Sequence, residues 1–197
     1  NKLNKNYFKD FMKTKYILHG GFAGYINADN DKFFKEILKD APDNPKVLLV
    51  YFANKKDRIS IHKQEDIYQF EKNKKNKNLF FEVADEKYFS KQATKADIIY
   101  LRGGDTLKLL NSLKKFSNLK ELFKGKMVAG ESAGAYVLSA YFYSGQENSI
   151  FEGLGFVPVK TICHWTEKRK DRLNELSKFY PNLEILLLPE YKYKVFQ

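Results

Sequence analysis

The chain has 197 residues, 43% of them hydrophobic and 16% aromatic, which suits one globular domain with a sizeable core. No apolar run approaches the ~20 residues that a membrane-spanning helix needs, which argues against a membrane protein. The single cysteine, Cys163, excludes an internal disulfide framework and is typical of a reducing compartment such as the cytoplasm.

The net charge of +11 comes from 35 Lys and Arg against 24 Asp and Glu. The basic residues are mostly lysines scattered among Asn and Glu, without a compact arginine-rich stripe with interleaved aromatics. This pattern speaks to solubility, and we expect neither a specific nucleic-acid partner nor a membrane partner. No Cys/His cluster has the spacing of a zinc site, so no metal or cofactor is expected.

Residues 1–14 are predicted to be a poorly ordered leader, and residues 15–197 a single domain. Short apolar runs predict strands at Tyr16–Leu18, Val47–Phe52, Leu79–Val83, Asp97–Leu101, Met127–Ala129, Val157–Cys163 and Glu184–Leu188. Helical spacing predicts helices at Asp31–Leu38, Arg58–Asn76, Phe89–Ala96, Thr106–Lys114, Leu119–Phe123 and Thr166–Phe179. Residues 141–157, with three glycines, are predicted to be loop.

The alternation of strands and helices predicts a three-layer α/β sandwich built on a mostly parallel, doubly wound sheet. Two glycine-rich turns, at residues 19–24 and 102–106, follow predicted strands. Because open α/β sheets place their sites at the carboxyl ends of the strands, we expect a functional site at that edge.

The fifth predicted strand runs into the sequence GESAG at residues 130–134, followed by a predicted amphipathic helix. In this strand–turn–helix setting a G-x-S-x-G sequence places its serine on a sharp, exposed turn. The hydroxyl of Ser132 would lie at the helix N-terminus, where free N–H groups favour a developing negative charge. Ser132 is therefore the candidate nucleophile, while Glu131 is expected to point away from it.

A serine nucleophile needs a base, which is usually histidine. His164 follows the next long strand and gives the serine-then-histidine order of α/β folds. His19, at the end of the first strand, is the second candidate. His62 lies in a polar helix and is expected to be solvated.

The carboxylate that orients the histidine has two candidates. Glu147 lies in the region after the nucleophile helix, and Glu190 follows the last predicted strand and a proline. The oxyanion of an acyl-transfer intermediate needs two N–H donors. We expect one from Ala133 and the second from Gly103 or Gly104, although that turn is equally consistent with a simple helix start capped by Asp105.

These motifs together carry a family resemblance. The sequences LRGGDTLKLL, GESAGAYVLSA, CHWTEKRKDRLNEL and LEILLLPE resemble those of the dipeptidase E (aspartyl dipeptidase) and cyanophycinase family of serine peptidases. The similarity in layout runs from about Lys15 to Glu190. It implies a fold related to class I glutamine amidotransferases, with serine in place of cysteine.

The resemblance also implies site residues. Ser132 would be the nucleophile and His164 the base, and the acid would match Glu147 or Glu190. In dipeptidase E-like members an arginine on the helix after the histidine recognises an N-terminal aspartate, and the matching position is Arg169, with Arg172 one turn on. A guanidinium binds a carboxylate through two parallel hydrogen bonds.

The leading hypothesis is a serine exopeptidase acting on small peptides through an acyl-enzyme, as a monomer or homodimer. One alternative is a non-catalytic, amidotransferase-like binding protein. A second is an α/β-hydrolase esterase, because residues 19–21 (HGG) resemble an esterase oxyanion loop. The chain after Ser132 is short for that fold, which makes the esterase the weaker alternative.

Overall fold

Strands and helices alternate along residues 13–197, the part of the chain that the computed structural model describes. The strands are β1 (Lys15–His19), β2 (Lys46–Val50), β3 (Phe80–Val83), β4 (Ile98–Leu101), β5 (Met127–Glu131), β6 (Ser139–Ser144), β7 (Ser149–Glu152), β8 (Val157–Cys163), β9 (Ile185–Leu188) and β10 (Tyr193–Phe196). The helices are α1 (Ala28–Leu38), α2 (Lys56–Asn73), α3 (Phe89–Lys95), α4 (Thr106–Lys114), α5 (Leu119–Phe123), α6 (Ala133–Leu138) and α7 (Lys170–Lys178). Most of the predicted leader lies outside the described residues.

The strands form two sheets. The larger has the order β10-β1-β5-β4-β2-β3, and all its neighbours are parallel except β10, which runs antiparallel to β1. The smaller has the order β7-β6-β8-β9, with only β7 antiparallel. The predicted mostly parallel α/β class is confirmed, although the strands are divided between two sheets.

The large sheet is buried on both faces, which explains why β2 and β4 read as continuous apolar runs. On one face, Phe33 and Phe34 of α1 pack with Phe70 of α2. On the other face, Leu109 and Leu113 of α4 join a cluster that continues into the small sheet. These two cores fix the strand ends and therefore the edge at which the site lies.

Three strands were missed by the sequence prediction. The region 141–157 was expected to be loop, yet β6 and β7 form a hairpin in it, with Tyr143 and Phe142 buried. Buried and exposed positions do not alternate regularly in β6, so no two-residue period marked it in the sequence. Strand β10 was missed because its residues alternate with lysines at the edge of the sheet.

Two helices also differ from expectation. The helix after Ser132 ends at Leu138, since Ser139 adopts an extended backbone and starts β6. The predicted helix Thr166–Phe179 begins as a 3₁₀ turn, Glu167–Arg169, before α7. Of the helices in residues 13–197, none is both long and apolar enough to cross a bilayer.

Candidate active site

Ser132 lies on the sharp turn between β5 and α6, with φ 49° and ψ −103°. A non-glycine residue in this region is strained and persists only where its surroundings hold it. The turn requires small neighbours: a Cβ on Gly130 would lie 2.4 Å from the carbonyl carbon of Gly134, and one on Gly134 would lie 2.3 Å from the Leu101 carbonyl oxygen. The structure thus gives the GESAG sequence the geometry of a nucleophile turn.

The predicted base lies beside this serine. The Oγ atom of Ser132 is 3.0 Å from Nε2 of His164, within hydrogen-bond reach for proton transfer. His164 follows β8 in the small sheet, and its own backbone has a positive φ of 51°. The pair therefore joins the two sheets at their carboxyl ends.

The glycines of residues 19–21 bring the two sheets together at this point. The His164 N–H donates to the Gly20 carbonyl at 3.0 Å, and the Ser132 N–H donates to the His19 carbonyl at 2.9 Å. A Cβ on Gly20 would lie 2.0 Å from the Pro189 carbonyl oxygen. The HGG sequence therefore supports the histidine, and sequence reasoning missed this role because it depends on contacts between distant segments.

Of the two candidate acids, Glu190 is the one beside the histidine. Its Oε1 atom lies 3.4 Å from Nδ1 of His164, on the opposite side of the ring from Ser132. Glu147 lies in the exposed turn between β6 and β7, and within residues 13–197 no hydrogen bond joins its carboxylate to His164. Glu190 is 41% exposed, so the contact is an open one at the rim of the site.

One of the N–H groups expected to bind the oxyanion is already engaged by another residue. The Gly103 N–H donates to Oε2 of Glu131 at 3.0 Å and is therefore already used. The remaining donors are the Ala133 N–H, at the start of α6, and the Gly104 N–H, neither with a hydrogen-bond partner among residues 13–197. Asp105 also caps α4 by accepting from the Lys108 N–H, so the capping role exists as well.

The buried carboxylate of Glu131 holds two loops to the strand that carries the serine. Its Oε1 atom accepts from the Ala23 N–H at 3.2 Å, and its Oε2 atom lies 3.3 Å from Nε of Arg102. Burial opposes its ionisation, but Arg102 and the amide donors outweigh that effect and keep the pKa of Glu131 below its usual value. As expected, this side chain is turned away from Ser132.

Arg102 is the centre of a buried charge cluster beneath this edge. Its guanidinium pairs with Asp66 and, at 2.7 Å, with Glu65, both on α2. Burial raises the pKa of Asp66 to about 7, even though Arg102 favours its ionised form. His62 was expected to be solvated, but it is half-buried and lies 3.2 Å from both Glu65 and Arg102.

His19, the second candidate base, is fully buried beneath the glycine loop. Its Nε2 atom lies 3.0 Å from Oδ1 of Asn30, and its Nδ1 atom accepts from the Gly21 N–H at 3.1 Å. Because Nδ1 accepts, Nε2 carries the proton and donates to Asn30. Burial lowers the pKa of His19 to about 4, so the ring is neutral at pH 7 and has a role in holding the loop.

Arg169 lies on the 3₁₀ turn just after the histidine segment. Its guanidinium donates to the Cys163 carbonyl at 2.9 Å, which leaves its other N–H groups for further partners. Arg172 instead packs over the ring of Tyr143, 5.7 Å from the ring centroid. Cys163 is buried, and burial raises the pKa of its thiol, consistent with the expected core role.

The described residues also include no group of three or more His, Cys, Asp or Glu side chains arranged to hold a metal ion. The site is instead defined by a serine on a strained turn, a histidine within hydrogen-bond distance and a carboxylate behind the ring. This is the arrangement of the serine hydrolases that act through a Ser-His-acid triad.

Comparison with known proteins narrows that class. The profile of peptidase family S51 matches residues 18–194, and the chain therefore belongs to this family. The protein is accordingly a serine-type peptidase, and the resemblance to dipeptidase E is confirmed. No curated protein sequence matches the chain significantly.

Two solved structures share the fold. A peptidase from an acI-B1 Actinobacterium superposes with a TM-score of 0.72 at 22% identity, covering 97% of this chain and 86% of the other. A protein described as peptidase E from Listeria monocytogenes EGD-e gives a TM-score of 0.66 at 20% identity, with coverages of 94% and 97%. These similarities support the amidotransferase-like fold expected from the sequence.

Proposed function

We propose that this serine peptidase is an exopeptidase that hydrolyses small peptides through an acyl-enzyme formed on Ser132. The observation that carries the proposal is the 3.0 Å separation of Ser132 Oγ and His164 Nε2 on a strained turn. In this mechanism His164 takes the serine proton as Oγ attacks the scissile carbonyl, then gives it to the leaving amine. Water, activated by the same ring, hydrolyses the acyl-enzyme.

A carboxylate, two backbone N–H groups and an arginine complete the proposed machinery. Glu190 accepts from Nδ1 of His164, which keeps Nε2 free to act as base and stabilises the imidazolium that forms. The N–H groups of Ala133 and Gly104 hold the oxyanion, since Gly103 is bound to Glu131. Arg169 is proposed to bind the side chain of an acidic N-terminal residue, because its guanidinium lies next to the histidine segment with donors to spare.

A fluorophosphonate probe tests the nucleophile directly. The folded protein should be modified stoichiometrically at Ser132, as located by peptide mass spectrometry, and Ser132→Ala should remain unmodified. Ser149→Ala, at the exposed start of β7, is a control that should label like the unsubstituted chain. A folded protein that takes up no label would favour the non-catalytic binding protein instead.

The proposed substrates are free small peptides, and the proposed enzyme is a monomer or homodimer. It has no nucleic-acid or membrane partner in this proposal. The esterase alternative has lost its main support, because the HGG segment contacts His164 and Pro189. Release of amino acids from dipeptides by the unsubstituted chain but not by Ser132→Ala would separate the two activities, because an esterase would hydrolyse aryl esters and leave dipeptides intact.

A further inference from the structure

An aromatic side chain lies against the proposed catalytic histidine and remains open to solvent. The ring of Phe22 meets the imidazole of His164 edge to face, with centroids 5.1 Å apart, and the residue is 40% exposed. Tyr25, which is 62% exposed, packs edge-on against Phe22 at 5.3 Å. Ile26 follows and is also exposed, so this short segment presents an apolar surface at the site.

Hydrogen bonds from buried side chains hold the loop that carries Phe22 and Tyr25 in place. The amide of buried Asn30 donates to the carbonyls of Phe22 and Tyr25, at 2.8 and 2.7 Å. The Ala23 N–H is bound by Glu131, and the Tyr25 N–H closes a turn onto the Phe22 carbonyl. Phe22 itself has a positive φ of 61°, a strained conformation that its surroundings must maintain. The aromatic surface is therefore preorganised.

The position of the aromatic surface relative to Ser132 decides which half of a peptide substrate it can contact. His164 must give its proton to the leaving amine, so the nitrogen of the scissile bond lies next to Nε2. The acyl half of the substrate lies instead toward the oxyanion donors of α6 and the Gly104 turn. The Phe22 ring contacts this same imidazole, so it lies near the position of the leaving amine.

We propose that Phe22, assisted by Tyr25, forms the binding site for the leaving-group residue and selects peptides with an apolar side chain after the scissile bond. This inference rests on the proposed serine mechanism. An apolar side chain such as Leu or Phe covers the exposed edge of Phe22 and removes it from water, which a glycine or an aspartate cannot do.

The test is a dipeptide series in which the first residue is held constant, once as Asp and once as Ala, while the second is Leu, Phe, Gly or Asp. For the unsubstituted enzyme kcat/KM should be at least about tenfold higher with Leu or Phe than with Gly. Phe22→Ala should bring that ratio close to one, because the ring that an apolar second residue covers is gone. Phe22→Leu should keep most of the preference.

Phe80→Ala is the matched control, because Phe80 is also exposed but lies at the start of β3 on the far edge of the sheet. It should leave the ratio unchanged. Tyr25→Ala removes a mostly exposed ring that packs against Phe22 and should lower the ratio part of the way. Circular dichroism should show that all variants are folded.

Two results would overturn the inference while leaving the peptidase intact: an unsubstituted enzyme indifferent to the second residue, or a Phe22→Ala variant that loses the same factor on every dipeptide. The second result would mean that Phe22 only supports His164. Failure of the folded enzyme to cleave any dipeptide, or to react with fluorophosphonate, would instead remove the proposed function and this inference with it.

Discussion

The imidazole of His164 rests on the backbone of Gly21. A Cβ built on Gly21 would fall 2.1 Å from Cε1 and 2.5 Å from Nε2 of that ring, and Gly21 has a φ of +130°. The residue before it, Gly20, accepts the backbone N–H of His164. The position of the proposed base is thus set by a loop on the other sheet.

Replacing this glycine should therefore impair catalysis. Gly21→Ala forces the ring of His164 away from Ser132, and kcat/KM should fall on the order of 10²-fold. Gly155→Ala is the control: Gly155 also has a positive φ, of +70°, but no atom lies within 4 Å of its Cβ position. It should cost about 1–2 kcal/mol of stability with activity unchanged. A fully active Gly21→Ala variant would contradict the proposed placement of the base.

The two candidate acids can be separated by neutral replacements. Glu190→Gln should lower kcat on the order of 10²-fold, because the amide no longer stabilises the imidazolium of His164. Glu147→Gln, in the exposed hairpin turn, should remain within about twofold of the unsubstituted enzyme. Steady-state kinetics on one dipeptide suffices. The reverse ranking would show that the hairpin reaches the histidine during turnover.

Glu131 should matter to both stability and rate. In Glu131→Gln the amide can accept from only one of the Gly103 and Ala23 N–H groups, and Arg102 loses a buried partner. We expect a loss of about 3 kcal/mol in unfolding free energy and at least a tenfold fall in kcat with a smaller change in KM.

Asp105→Asn is the control for this experiment, since it removes a charge from the same turn while an asparagine still caps α4. Urea unfolding and kinetics should both stay close to those of the unsubstituted protein. If Glu131→Gln lost stability but kept its kcat, the contact with Gly103 would have no part in positioning the oxyanion donors.

Arg169 should affect binding of acidic substrates alone. Arg169→Met should raise KM for dipeptides that begin with Asp by about tenfold or more and leave those that begin with Ala unchanged. Arg172→Met, one turn further on, removes a guanidinium that packs over Tyr143 and should alter neither class. Equal turnover of acidic and neutral dipeptides by the unsubstituted enzyme would exclude the proposed preference.

His19 should make stability depend on pH. Because burial lowers the pKa of His19 to about 4, the unfolded chain binds a proton below about pH 6.5 that the folded chain does not. The free energy of unfolding should therefore fall as the pH drops from about 6.5 to about 4, by roughly 3 kcal/mol from this residue.

Asp66 acts in the opposite sense, since its raised pKa lets the folded state hold the extra proton over a similar range. Urea unfolding should therefore be compared between the unsubstituted chain and His19→Gln, which retains a donor toward Asn30. The unfolding free energy of the unsubstituted chain, minus that of His19→Gln, should decrease as the pH falls. A difference that is constant with pH would mean that the folded chain binds the His19 proton as readily as the unfolded one.

Local sequence was sufficient for the parts of this protein that local chemistry controls. The apolar run of β2 predicted a buried strand, and the GESAG sequence between a strand and a helix predicted the sharp turn at Ser132. The family motifs pointed to a serine peptidase, which the match to family S51 confirms. These features depend on residues close together in the chain, so their steric requirements can be inferred from the sequence.

Tertiary structure decided how the pieces meet. Only the pairing of the two sheets shows that Glu190 rather than Glu147 lies behind the ring of His164, and that the Gly103 N–H is taken by Glu131. The short β6–β7 hairpin and edge strand β10 were also not predicted from the sequence, because they are stabilised mainly by pairing with neighbouring strands. Contacts between segments far apart in the chain carry no local pattern, so the geometry of the site follows from packing.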